Sequence, residues 1–203
     1  MNKRNGLALV ISAPSGAGKT TLIANLCEKF PNFGYSISCT TRRPRHGEMD
    51  GKDYHFISHE EFELKKNENY FAEWAQVHNN FYGTPLAPIQ EMMGKGQDIL
   101  FDIDVQGAAQ LKLTLSNALF VFILPPSISE LEKRLRFRNL DDEQTIERRV
   151  KNAKAELEQA HWYDVFIIND DLEKAKNELI STYITATLSP KLYPNLIKDI
   201  IQS

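Results

Sequence analysis

Cysteine is nearly absent. Cys27 and Cys39 are the only two in 203 residues, too few for a disulfide framework, so a reducing cytoplasm is the expected setting. No apolar run approaches the ~20 residues a bilayer crossing takes, so no membrane partner is expected. Lys3 and Arg4 before the run Leu7–Ala13 imitate a short signal peptide. That run sits at the lower length limit for one and leads into a glycine-rich pattern, so a buried strand is the better reading. An excess of either charge is also missing. A net charge of −3 and a pI near 6.0 exclude the basic footprint of a nucleic-acid binder. The five histidines, His46, His55, His59, His78 and His161, form no pair at metal-ligand spacing with supporting cysteines or carboxylates. Repeats and low-complexity segments are lacking. What remains is ordinary globular composition, 42% hydrophobic and 25% charged, in a chain long enough for one domain with a core that needs no staples.

Along the chain, short apolar runs alternate with helical stripes. Leu7–Ile11, Ile99–Ile103, Leu119–Leu124 and Val165–Ile168 read as strands buried on both faces, and Tyr35–Ser38 as a further short one. Helices are predicted over Lys19–Phe30, Gln106–Leu115 and the segment after Ser127, which caps with Glu130 three residues on. Others are predicted over Ile146–Ala160, Leu172–Ala186 and Pro194–Ile201. The alternation predicts an α/β fold with a parallel sheet flanked by helices, its ligands at the carboxyl ends of the strands. Ser12, Ser38, Asp102 and Asn169 then share one rim. Between Thr41 and Met93 the period is lost and Arg, Gly, Asp, Tyr and Phe are frequent, which reads as an inserted subdomain with strands such as Tyr54–Ile57. The polar stretch Arg136–Gln144 reads as an exposed excursion.

Ala13-Pro14-Ser15-Gly16-Ala17-Gly18-Lys19-Thr20 follows the first strand and opens the first helix. It matches the phosphate-loop pattern with Ala13 in place of the first glycine. Gly16 and Gly18 let the backbone N–H groups wind into an anion nest at a helix N-terminus. Lys19 can neutralise the outer phosphates and the Thr20 hydroxyl can ligate Mg²⁺. A glycine-rich turn with a surface lysine is the alternative; the strand before and the helix after decide for ATP or GTP.

A phosphate loop alone does not choose a family. Ser38-Cys-Thr-Thr-Arg-Arg-Pro-Arg45, Gly47-Glu48 and Gly51-Lys-Asp-Tyr-His-Phe56, followed by Glu73-Trp-Ala-Gln and Tyr82-Gly-Thr84, resemble the guanylate kinase signature. So do Ile99–Asp104 with Gln106-Gly107, Pro125-Pro-Ser127 and Asn169-Asp-Asp171. The series runs in family order over about residues 5–187. The resemblance implies a P-loop NTPase-type core (1–40, 94–133 and 151–203), a GMP-binding subdomain at about 41–93 and a short helical lid at about 134–150. It implies transfer of the γ-phosphoryl group of MgATP to GMP, with dGMP a further acceptor.

By the same resemblance, Arg42, Arg45, Tyr54 and Tyr82 clamp the acceptor's phosphate, a role suited to guanidinium forks. Glu73 and Asp104 read the guanine edge, whose N1–H and amine are donors that need acceptors. Ser38 and Thr84 add hydroxyls. Alternatives stand beside these: a solvated basic loop, a surface acid at Glu73, a helix cap at Asp104. Asp102 organises Mg²⁺ directly or through water, or merely ends its strand. Arg134, Arg138 and Arg149 fold over the ATP phosphates, with Arg136 and Arg148 near enough to share the work. Phe137 and Asn139 depart from the glycines usual beside the central lid arginine. Asn169 either borders the adenine side of ATP or caps the next helix. Cys39 stands beside the acceptor segment, where alkylation would inhibit. Two other readings compete: a peptide-binding scaffold domain, against which Gly18, Lys19 and Thr20 are intact, and a kinase for a baseless acceptor such as a sugar phosphate, which would not need Glu73, Asp104 and Thr84. The segment Ser189–Ser203 extends past the resemblance and packs on the core or on another subunit of a homo-oligomer.

Overall fold

The protein is described by a computed structural model covering residues 4–115, 117–137 and 142–202. Two sheets organise it. The first is parallel, in the order β6 (Ile99–Asp102), β1 (Ala8–Ser12), β7 (Ala118–Leu124), β8 (Val165–Ile168). β1 lies between β6 and β7, with Ala8 opposite both Ile99 and Ala118. All five of its residues are buried, because helices cover both faces. Alternation then sorts the side chains. Leu9 and Ile11 face Leu22 and Leu26 of α1 (Lys19–Lys29) and Ala175 and Leu179 of α7 (Leu172–Thr187). Ala8 and Val10 face Ile89 of α3 (Leu86–Gly94) and Ala108 and Leu111 of α4 (Val105–Thr114). Each large side chain so buried contributes about 1.5–3 kcal/mol.

The second sheet, in the order β3 (His55–Phe56), β2 (Cys39–Thr40), β5 (Asn80–Pro85), β4 (Phe71–Val77), fills the aperiodic segment. Its small core stacks Phe62 of α2 (His59–Asn67) on Phe71 and Phe81, with ring centroids 4.5 and 5.2 Å apart. Gly83 permits that stack, since a Cβ there would stand 2.8 Å from the Phe71 ring. Gln110 of α4 docks this sheet on the core, its amide bonding both the N–H and the C=O of Trp74 at 3.0 and 2.8 Å.

Tyr35–Ser38 is not a strand. Gly34 makes one bridge to Ile99, and the chain then leaves the core sheet with Tyr35 exposed to enter the second sheet at Cys39. Alternating tyrosine, serine and isoleucine imitates a half-buried strand, but here it is a crossing between sheets.

After β7 come α5 (Ile128–Phe137) and α6 (Glu143–Glu158), which share Leu131, Leu135, Ile146 and Ala153 as a core. Arg136 ties them by pairing with Glu132 and Glu143. The last helix, α8, runs Leu196–Gln202. At the amino ends of the core strands, buried Asp98 is held by Arg4 (2.6 Å), the Leu7 N–H (2.7 Å) and the Tyr183 hydroxyl (2.7 Å). Burial alone would raise its carboxyl; these partners outweigh burial and hold it low. Among the described residues, no helix is long and apolar enough to cross a membrane.

Candidate active site

The phosphate loop leaves β1 at the carboxyl rim. Gly16 and Gly18 hold φ near +93° and +94°, a left-handed backbone that glycine adopts freely. Gly18 also has no room for a side chain: a Cβ would lie 2.3 Å from Asn169 Nδ2. That amide donates to the Ala17 carbonyl at 2.8 Å. Asn169 is therefore a brace under the loop, while the cap of α7 is Asp171, which accepts from the Lys174 N–H. The Asn169 carbonyl in turn accepts from Arg134 Nη2 at 3.1 Å, and Glu130 takes Arg134 Nε at 3.2 Å. Thr20 is exposed on the first turn of α1.

Lys19 reaches the turn between β6 and α4. Its ammonium pairs with Asp102 Oδ1 at 2.7 Å and donates to the Ile103 carbonyl at 3.2 Å. One residue on, Asp104 Oδ1 accepts from the N–H groups of Gln106 and Gly107 at 3.0 and 2.9 Å. Asp104 is thus the α4 cap, and that work occupies one of its two oxygens.

Opposite this turn, β4 and β5 present Glu73 and Thr84 side by side in register. The Thr84 hydroxyl donates to Glu73 Oε1 at 2.5 Å, and Ser38 Oγ lies 3.2 Å from Thr84 Oγ1. With Thr84's only proton committed, Ser38 must be the donor. Burial pushes the Glu73 carboxyl up, the Thr84 bond opposes, and the Asp104 charge adds to the rise. A half-buried acceptor thus has one oxygen satisfied and the other turned toward Gly107, where an added Cβ would be 3.5 Å from Oε2.

Arg42 lies against the Tyr54 ring (5.5 Å to the centroid), and the Tyr54 and Tyr82 rings are 6.0 Å apart. Its guanidinium forks onto Glu48 at 2.9 and 2.8 Å, and Glu48 also takes the Arg45 N–H at 2.6 Å. Arg42 first, then that N–H, hold the Glu48 carboxyl down to about 2. The Arg45 side chain is exposed. Arg149 is half-buried on α6, and Arg138 and Asn139 lie outside the described residues. Cys39 corrects an expectation: it is 2% exposed and burial pushes its thiol up to about 11, so it is no target for alkylation in the folded protein.

Three supporting residues escaped the sequence reading. Glu48 was visible as an acid in an Arg-rich segment, whereas Gln110 and Glu156 gave no local sign. Glu156 on α6 is half-buried; burial raises its carboxyl, Asp104 adds, and Lys19 opposes.

A family model described as guanylate kinase matches residues 5–186. The chain belongs to the guanylate kinase family. It is 60% identical to a guanylate kinase of Lawsonia intracellularis over 99% of this chain and 95% of that one. To a guanylate kinase of Oleidesulfovibrio alaskensis it is 54% identical over 98% and 97%. The crystal structure of guanylate kinase from Anaplasma phagocytophilum superposes with a TM-score of 0.72 at 32% identity, covering 100% of this chain and 97% of that one. For this guanylate kinase family member, the parallel sheet flanked by helices is the family's fold.

Proposed function

We propose that the protein transfers the γ-phosphoryl group of MgATP to GMP, giving ADP and GDP. One observation carries the reading. The turn Asp102-Ile103-Asp104 and the first turn of α4 that it opens reach both halves of the site, the former holding Lys19 and the latter placing Gly107 beside Glu73, where an added Cβ would be 3.5 Å from Oε2. A triphosphate in the nest of Gly16, Gly18 and Lys19 and a guanine on Glu73 and Asp104 then meet over that turn. Arg42, Arg45, Tyr54 and Tyr82 take the acceptor's phosphate. Lys19, Arg134, Arg138 and Arg149 neutralise the charge that spreads over the moving group, which is most of what catalysis of this transfer requires. No protein base is needed, because the attacking atom is already a phosphate oxygen. Asn169 serves ATP by keeping the loop in shape.

The Thr20 hydroxyl and the Asp102 carboxylate are hard oxygen donors suited to Mg²⁺, a cation that keeps several waters and takes the rest of its shell from phosphates. Bound there with ATP, it would offset phosphate charge. Asp102 now pairs with Lys19, so the phosphates would compete for the lysine and the cation for the carboxylate.

Guanine is selected by acceptors. Adenine would bring a bare N1 lone pair to a carboxylate, and sites of this kind discriminate by about 10⁴ or more. The test is ADP release from MgATP with GMP, dGMP, AMP, CMP, UMP and no acceptor in parallel. Turnover is expected with GMP and dGMP alone. Equal turnover with AMP would overturn the guanine assignment, and binding of GMP without turnover would favour a binding module.

A further inference from the structure

Helix α5 carries two stripes. Leu131 and Leu135 are buried in the core shared with α6. Glu130, Lys133, Arg134 and Phe137 follow at i, i+3, i+4 and i+7, a second face of the same helix. With Gly16 and Gly18 these four line a cavity of about 440 Å³. Phe137 is the odd member. It is 92% exposed, the highest figure for a large apolar side chain among the described residues. A solvated ring at the end of a charged stripe forgoes the burial that would account for it as a packing residue.

We propose that Phe137 is a stacking platform for the base of the donor nucleotide. The inference rests on the phosphate-loop reading above and extends it to the other end of the same ligand. Gly16 and Gly18 are at once part of the anion nest and part of the cavity wall, so a triphosphate seated in the nest leads its nucleoside into this space. The volume falls within the range of small-ligand sites. Lys133 and Arg134 suit the phosphate side, and Phe137 supplies an apolar plane for a flat aromatic occupant. Every base offers a π-face, so such a platform adds affinity without choosing among bases. Donor choice is then looser than acceptor choice.

The experiment uses the full chain with Phe137→Ala and Phe137→Trp. In Phe137→Ala the KM for ATP rises about tenfold, the scale of one lost base stack, while the KM for GMP and the inhibition constant of inorganic tripolyphosphate, which has no base, stay in place. Phe137→Trp restores the KM for ATP. Its fluorescence beyond that of native Trp74 and Trp162 changes with ATP and not with tripolyphosphate. An unchanged KM for ATP in Phe137→Ala, an equal loss of tripolyphosphate binding, or a tryptophan indifferent to ATP would each overturn the proposal. Wild-type protein that releases no ADP with GMP would instead overturn the kinase reading, and the tryptophan response to ATP would still decide the stack.

Discussion

The donor and acceptor halves of the site are built from different materials. The phosphate loop is mostly main chain: two left-handed glycines, a helix N-terminus, and one asparagine beneath, all hung on a sheet buried on both faces. The acceptor half is mostly side chain: a Ser38–Thr84–Glu73 relay and an arginine held by Glu48, carried on a small sheet whose core is a few stacked rings. Backbone donors bind any phosphate, so that half sets reaction type. Side-chain acceptors distinguish one base edge from another, so the other half sets the substrate. Damage to the first half should therefore slow the transfer, and damage to the second should weaken the acceptor.

The largest effect is expected at the charge the donor half cannot take from its backbone. Lys19→Ala should lower kcat by about 10³-fold or more, as removal of a positioned charge at a transferring phosphoryl group does, with the fold intact by circular dichroism. Near-normal turnover in a folded variant would mean that Lys19 carries none of the phosphate charge. Next is Glu73→Gln, which should weaken GMP by about 1–3 kcal/mol, the cost of a stranded donor, and leave the KM for ATP in place. A pH series tests the same carboxylate. Guanine needs the ionised carboxylate, and burial raises the Glu73 pKa. The KM for GMP should therefore climb on acidification at a higher pH than an ordinary glutamate near 4.3 would give, and that limb should vanish in Glu73→Gln. A rise in the ATP constant instead would assign Glu73 to the wrong half. The smallest effect is Asn169→Ala, which leaves the Ala17 carbonyl without its amide and should cost about 1–2 kcal/mol of stability, read by thermal unfolding. No change there would mean the loop keeps its shape unaided.

The same contrast governs what could be read from sequence. The core strands and helices were legible because two-sided burial leaves continuous apolar runs, and the phosphate loop because backbone chemistry leaves glycines at fixed spacing. β4, β5, α2 and α3 left no clear period, since a sheet this small buries aromatics at irregular places. Tyr35–Ser38 misled because its pattern fits a strand while its position joins two sheets. Site residue types were visible through the family resemblance, but their working partners were not. Glu48 behind Arg42, Gln110 behind Trp74 and Glu130 behind Arg134 are matched by folding, and only the last lies within one helical turn of its mate.

The position of β1 bears on how the protein is made. Its only sheet neighbours among the described strands, β6 and β7, begin roughly ninety and a hundred and ten residues later. A ribosome adding ~5–20 residues per second therefore holds this strand, apolar from Ala8 to Ile11, unpaired for roughly 5–20 s. The strands of the second sheet, which lie between Cys39 and Pro85, have all been synthesised before β6 exists. The half that chooses the substrate can thus assemble first, and the half that does the chemistry closes around it.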